Sequence, residues 1–224
     1  MPTDHGEFLM LEPQTIPFTA PKTPVRRGSD PKQERSARTR QRVLMGAAEL
    51  FTERGFRQTS VKDVADRVEM TKGAVYFHYP TKEALAVAIV EEHYARWPKL
   101  LDEVALEGLG PMETAVRMLD RAAVAFQDDV IVQAGARLQI ERPQIDAELP
   151  TPYVDWIALL ESLLTSAREA GELRPEVVPA NAARSLVSAF FGSQHVSDVL
   201  SGRADVVERW RDLSGLLFRA MRTE

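Results

Sequence analysis

Residues 59–82 read TSVKDVADRVEMTKGAVYFHYPTK, and this stretch decides the fold. Ser60 is a good N-cap, with Asp63 three residues on as a weak capping-box partner. Val61, Val64, Ala65 and Val68 then fall at i, i+3, i+4 and i+7, one buried face of a short helix. Glu69 and Met70 make a turn, and Thr71 caps a second helix over Lys72–His78. Pro80 ends that helix, because the residue before a proline is pushed out of the helical region. Thr81 caps a third helix. Two short helices at an angle and the start of a third suit a helix-turn-helix, whose second helix enters the major groove by its N-terminal end. That end carries Thr71, Lys72 and Gly73. Unpaired amides there attract phosphate, and Lys72 can donate to the O6 and N7 acceptors of guanine. Gly73 has no side chain and lets backbone approach DNA closely. Tyr76, His78 and Tyr79 supply polar tips suited to phosphate oxygens. The alternative is that Tyr76, Phe77 and Tyr79 are core aromatics, and for Phe77 helical periodicity favours the core.

The wording of the stretch adds to its pattern. S-V-K-D-V-A-x-x-V-x-M-T-K-G-A-V-Y-F-H-Y-P-T-K-E-A-L resembles the DNA-binding domain of TetR-family repressors, over roughly Glu34–Ile89 once a first helix at Ser36–Arg54 is included. The resemblance implies an all-helical homodimer that binds a palindromic operator and is released by a small ligand. It implies that Lys72, Gly73, Ala74, Tyr76, His78 and Lys82 match positions that meet DNA. Thr59 and Thr71 match positions that commonly touch phosphate.

The 224 residues suffice for one large domain or two small ones. No apolar run approaches the roughly 20 residues of a membrane span, and nothing reads as a signal peptide. The chain has no cysteine, which excludes disulfides and thiolate chemistry and fits a cytoplasmic location. A net charge of −5 argues at first against nucleic acid, but Lys22–Lys82 holds 14 basic against 7 acidic residues. That sign asymmetry favours a nucleic-acid partner for the N-terminal part.

Six of the fourteen prolines lie at positions 2, 13, 17, 21, 24 and 31. Without apolar periodicity, residues 1–31 read as a flexible arm. Its Lys22, Arg26 and Arg27 either reach the minor groove or belong to a solvated linker; both readings stand. Helix 1 comes next, with Arg35, Arg38, Arg40 and Arg42 in its first turns. Arginines at a helix N-terminus oppose the macrodipole, and a phosphate backbone would offset that cost. Val43, Leu44, Ala47, Ala48, Leu50 and Phe51 give its buried face, and Gly55 stops it. A fourth helix runs from Thr81 through KEALAVAIVEEHYARW, with Pro98 to kink or end it. Helical patterns recur over 112–127, from 130 to about 141, and over 153–170, 180–200 and 205–221. The expectation is an all-α chain of about nine helices. Residues 32–82 form the helix-turn-helix domain and 83–224 a ligand-binding and dimerisation domain.

Polar and aromatic residues interrupt the apolar faces of this body: Tyr94 and Trp97, then Gln133, Arg137 and Gln139, then Tyr153 and Trp156, then Gln194 and His195. A ligand pocket needs mostly apolar walls and a few placed hydrogen-bond groups. The alternative is that each is a satisfied core or surface residue, which is favoured for Gln133 and His195. The wording V-Q-A-G-A-R-L…L-P-x-P-Y-x-D-W-x-x-L-L-x-x-L-L-x-x-A resembles the receptors for γ-butyrolactone-type autoregulators of antibiotic-producing actinomycetes. E-E-H-Y-A-R-W-P and P-Y-V-D-W look closest to receptors for alkylfuran carboxylic acid signals of the methylenomycin type. The resemblance implies Tyr94, Gln139 and Tyr153 as polar contacts to the signal, with Trp97 and Trp156 as nearby walls. It also implies a dimer through the last two long helices. There Leu186, Ala189, Phe190, Phe191, Trp210, Leu213, Leu216, Leu217 and Phe218 exceed what a monomer core needs; a wide monomer core is the alternative.

No nucleophile elbow, phosphate loop or H-E-x-x-H occurs, and the four histidines lack metal-ligand spacing. No catalytic residue, metal or cofactor is expected. Two other readings stand: a TetR-type regulator that senses an antibiotic or drug, and a lactone-processing enzyme on a helical scaffold.

Overall fold

A computed structural model describes residues 31–223. The expected arm, with Lys22, Arg26 and Arg27, lies outside the described residues except for Pro31, which opens the first helix. Among the described residues there are ten α-helices: α1 (Pro31–Arg54), α2 (Val61–Arg67), α3 (Lys72–His78), α4 (Lys82–Tyr94), α5 (Arg96–Ala105), α6 (Pro111–Asp128), α7 (Val130–Ile140), α8 (Val154–Glu169), α9 (Pro179–Ser201) and α10 (Val206–Met221). One 3-10 turn spans Arg142–Gln144. Extended pairing among the described residues is limited to an isolated bridge between Leu173 and Arg222.

The caps explain the short helices. Ser60 and Asp63 form a full capping box on α2. Thr71 and Thr81 each accept a hydrogen bond from the third amide of the helix they open, which satisfies one of the orphan donors there. Glu69 takes a left-handed conformation (φ +54°) in the turn between α2 and α3. Gly55 (φ +80°) stops α1 at the expected place.

The expectation of about nine helices holds to within one, because the fourth divides at Ala95 rather than at Pro98. A proline ring collides with the carbonyl four residues earlier and lacks an N–H. The helix therefore breaks before Pro98, and the proline becomes the third residue of α5, where no intrahelical donor is needed.

Two apolar clusters hold the molecule. One joins α1, α2, α3 and α4 to Ile131, Ala134 and Leu138 of α7 and to Ile145 and Leu149. The other is built from α5, α6, α8, α9 and α10 around Trp97, Phe126, Trp156, Phe190 and Trp210. Tyr94 touches both. The first cluster runs across the expected 82/83 boundary, so α4 and α7 share a core with the helix-turn-helix. Leu186, Phe190, Trp210 and Phe218, assigned from sequence to a dimer surplus, are buried in the second cluster. Each fills the space between α6, α8, α9 and α10, which is the wide monomer core.

Candidate functional site

α3 presents a graded surface. Val75 is its buried anchor and Tyr79 follows it inward, 3% exposed, with the Arg40 guanidinium 5.1 Å from its ring centre. Tyr79 is therefore packing rather than a polar tip. Lys72 and Gly73 are exposed, Ala74 and His78 half-buried, and Tyr76 46% exposed. Phe77 is 81% exposed, which corrects its assignment to the core. At 100° per residue, Phe77 lies about 200° from Val75 and Gly73 about 160° from it, so both occupy the outward face. A seven-residue helix is too short for periodicity to tell such a face from a second buried one.

Two further positions depart from expectation. Thr59 is only 2% exposed, and its hydroxyl donates to the Gly55 carbonyl at 2.8 Å. Its amide donates to Phe56 O, so Thr59 braces the turn after α1 and offers nothing to a phosphate. Lys82 donates from Nζ to Phe56 O at 2.9 Å and sits 4.0 Å from the centre of the Phe56 ring. Its ammonium is part-buried against the head. Thr71 is exposed but its hydroxyl is occupied by the Ala74 amide. On α1, Arg35 and Arg38 are exposed, while Arg42 donates to Val68 O at 2.8 Å.

The second feature is a cavity of about 460 Å³ between α4, α7, α8 and α9, within the range of small-molecule sites. Tyr94, Gln139, Tyr153 and Trp156 all line it, together with Ile157, Val187 and Phe191. Trp97 does not. It is fully buried one layer behind, edge-on to Trp156 at 5.2 Å and stacked on Phe126 at 6.2 Å, because the break at Ala95 turns it into the α5 core.

Gln139 is the polar centre of the cavity. Its Nε2 donates to the Tyr94 hydroxyl at 3.2 Å and to Pro150 O at 3.0 Å. A carbonyl can only accept, so Pro150 fixes which end of the amide is nitrogen. Oε1 is left buried with no partner, an arrangement that costs free energy until a donor arrives. Burial pushes the Tyr94 phenol up to about 12 and raises that of Tyr153, so both stay protonated as donors. Tyr153 stands in a left-handed backbone conformation (φ +70°) at the start of α8, its ring 4.6 Å from Phe191. Strain of this kind in a non-glycine residue clusters at binding sites.

His93 also lines the cavity, and sequence reasoning passed over it. Its Nδ1 donates to Val132 O at 3.1 Å, and burial lowers its pKa to about 4. The ring lies against bare α7 backbone, since a side chain on Gly135 would meet His93 Cβ at 2.5 Å. Gln194 and His195 face the cavity too. Gln133 does not; its amide donates to Phe126 O and Gln127 O. Phe191, read from sequence as dimer surface, closes the wall opposite Tyr153. Adjacency to Phe190 was its available signal: two neighbouring aromatics on one helix point about 100° apart, so Phe190 enters the core while Phe191 packs at its edge, 5.8 Å from Phe126, and lines the cavity. Among the described residues no cluster of His, Asp and Glu could hold a metal ion, and no helix is long and apolar enough to cross a membrane.

Comparison with known proteins agrees with this geometry. Residues 43–89 match a family model described as bacterial regulatory proteins, tetR family. Residues 109–223 match the tetracyclin repressor-like C-terminal domain. The chain is 34% identical over 186 residues to the A-factor receptor protein of Streptomyces griseus, covering 81% of this chain and 64% of that protein. The chain thus spans just under two thirds of that relative's length. A structure solved in work on the molecular basis for control of antibiotic production by bacterial hormones is 62% identical, with a TM-score of 0.77, covering 83% of this chain and 98% of that one. CprB from Streptomyces coelicolor, solved with its biological operator sequence, is 27% identical with a TM-score of 0.72, covering 84% of this chain and 90% of that one. The two family models together take in the helix-turn-helix and the body from α6 onward, and the chain belongs to the TetR family of bacterial regulatory proteins.

Proposed function

We propose that this chain is a ligand-released transcriptional repressor that binds a palindromic operator as a homodimer. The outward face of α3, with Lys72, Gly73, Tyr76 and Phe77, reads the major groove, flanked by Ala74 and His78. A small diffusible autoregulator of furan, butenolide or γ-butyrolactone type occupies the cavity and lowers operator affinity. The genes controlled are those of antibiotic biosynthesis, as the 62% identical relative suggests. The observation that carries the reading is the orphaned Gln139 Oε1 inside a largely apolar cavity, on a helix that shares its core with the DNA-reading head. A signal hydroxyl would donate to Oε1, and the Tyr94 and Tyr153 hydroxyls would donate to its carbonyl or carboxylate oxygens. The cavity wall has no acidic side chain, which disfavours a cationic drug.

For the dimer, α9 exposes Val196, Val199 and Leu200 at i, i+3 and i+4, and α10 exposes Leu216, 67% accessible in the single chain. These side chains take over the role first given to the buried Phe190 and Phe218. The test is a gel shift on promoter DNA neighbouring the gene, with and without an alkylfuran carboxylic acid, a γ-butyrolactone, and solvent extract of the producing culture. A shifted band released by one of these supports the reading. A band indifferent to all three removes the autoregulator class, and no band removes the repressor.

A further inference from the structure

The last turn of α7 has two working faces. Gln139 and Ile140 line the cavity, whereas Arg137 and Glu141, two residues to either side of Gln139, project about 160–200° away from it. On that side they grip the head. Glu141 Oε2 accepts from the Phe56 amide at 2.5 Å, and Oε1 accepts from Arg137 Nε at 3.1 Å. Arg137 Nη1 donates to Thr52 O at 2.7 Å. Thr52 lies in the last turn of α1, where carbonyls lack intrahelical donors, and the Phe56 amide lies just beyond its end. One ion pair therefore caps both polar groups at the end of α1. The Phe56 carbonyl is held by Lys82, the first residue of α4, so Phe56 alone ties together α1, α4 and α7. Gly55 makes room for this: a side chain there would run into the Glu141 carboxylate.

We propose that Arg137 and Glu141 are positioning residues that lock the DNA-reading head to the pocket-bearing helix, and that a signal engaging Gln139 acts by breaking this lock. The inference rests on the ligand-released reading above and adds a route to it. Gln139 and the lock share one rigid turn, so a displacement on the cavity side moves the capping groups directly. Coupling of this kind is reciprocal. A change that loosens the lock must weaken operator binding and leave signal binding unchanged or tighter.

Glu141→Ala and Glu141→Gln in the full chain test this, with promoter DNA and an alkylfuran carboxylic acid as the probe. Glu141→Ala should lower promoter-DNA affinity at least tenfold, and Glu141→Gln, which keeps one acceptor, by less. Probe binding, followed by tryptophan fluorescence through Trp156, should be at least as tight as in the wild type. The further loss of DNA affinity at saturating probe should shrink below threefold. A merely structural role would weaken both binding events together. DNA affinity within twofold of wild type, or a probe-induced loss as large as in the wild type, overturns the proposal. If Glu141→Ala does not fold, hydrogen–deuterium exchange on the wild type decides: the probe should speed exchange at residues 55–57, and unchanged protection rejects the lock. A wild type that binds DNA but ignores the furan acid and a lactone contradicts the proposed signal class. The effect of the two variants on DNA alone then still decides whether the lock exists.

Discussion

At the residue scale the informative positions are those where a side chain sits against its type. Phe77 is a large apolar group left in solvent on the face that Lys72 and Gly73 share, where a thymine methyl would meet it. Phe77→Ala should weaken operator binding by about 1 kcal/mol, roughly one buried methylene, and leave the melting temperature unchanged. A core phenylalanine would instead cost about 3–5 kcal/mol of stability, so the two assays separate the two readings. Tyr153→Phe keeps the ring on Phe191 and removes one hydroxyl. Signal affinity should fall by about 0.5–1.5 kcal/mol, or more against a carboxylate, with operator binding unchanged in a gel shift without signal. His93 carries a pH dependence. Its folded pKa of about 4 lies below the ordinary value near 6.5, so the unfolded chain binds the extra proton between them. Its contribution is complete above pH 6.5 and is lost as pH falls toward 4, about 2–3 kcal/mol by pH 4.5. Urea titrations at pH 7.5 and 4.5 should show that loss in the wild type and a smaller one in His93→Gln.

At the element scale α4 and α7 join the head to the cavity. They lie side by side in the core of the head while their ends wall the cavity, so neither can shift without moving the other. Gly135 lets the His93 ring rest on the α7 backbone. Gly135→Ala would force its methyl into that ring, and with no flexible chain end to yield, the two helices must part. The expected cost is about 1–3 kcal/mol in urea unfolding, typical of overpacking, and probe binding should weaken because Tyr94 and Gln139 are drawn apart. Stability and probe affinity equal to wild type would mean that the two helices slide freely.

At the scale of the whole molecule the proposed function needs two heads. Leu216 on α10 and the Val196, Val199 and Leu200 stripe on α9 are the apolar groups that a single chain leaves uncovered there. Leu216→Glu should move the dimer–monomer equilibrium at least tenfold toward monomer in sedimentation velocity, because association would bury an unpaired charge. Operator affinity should then fall by about 10²–10⁴, the advantage lost when two half-sites are no longer met by linked heads. A dimer as tight as wild type would place the interface elsewhere.

Local order was legible in the residues. Ser60, Thr71 and Thr81 cap the helices they were read to cap, Gly55 stops α1, and the later boundaries fall within a residue or two of their patterns, because caps and 3.6-residue periods act over a single turn. The wording around Lys72 and around Tyr153 carried the family. Pocket membership was partly legible: Tyr94, Gln139 and Tyr153 stood out as polar groups on otherwise apolar faces, and Trp156, a core residue, also lines the cavity. What the chain in one dimension does not contain is which of two neighbouring faces a helix buries. Phe77 turned outward because it lies opposite Val75, the residue by which α3 packs, and a seven-residue helix is too short for periodicity to show which face that is. Thr59 and Lys82 turned inward because the turn after α1 brings the Gly55 and Phe56 carbonyls within reach of their side chains. Trp97 left the cavity because the helix broke three residues before its proline. Arg137 and Glu141 became a lock only when α7 was laid across the end of α1, 85 residues earlier in the chain. Such contacts depend on which surfaces meet, and that is settled by packing the helices together, not by the order of residues within any one of them.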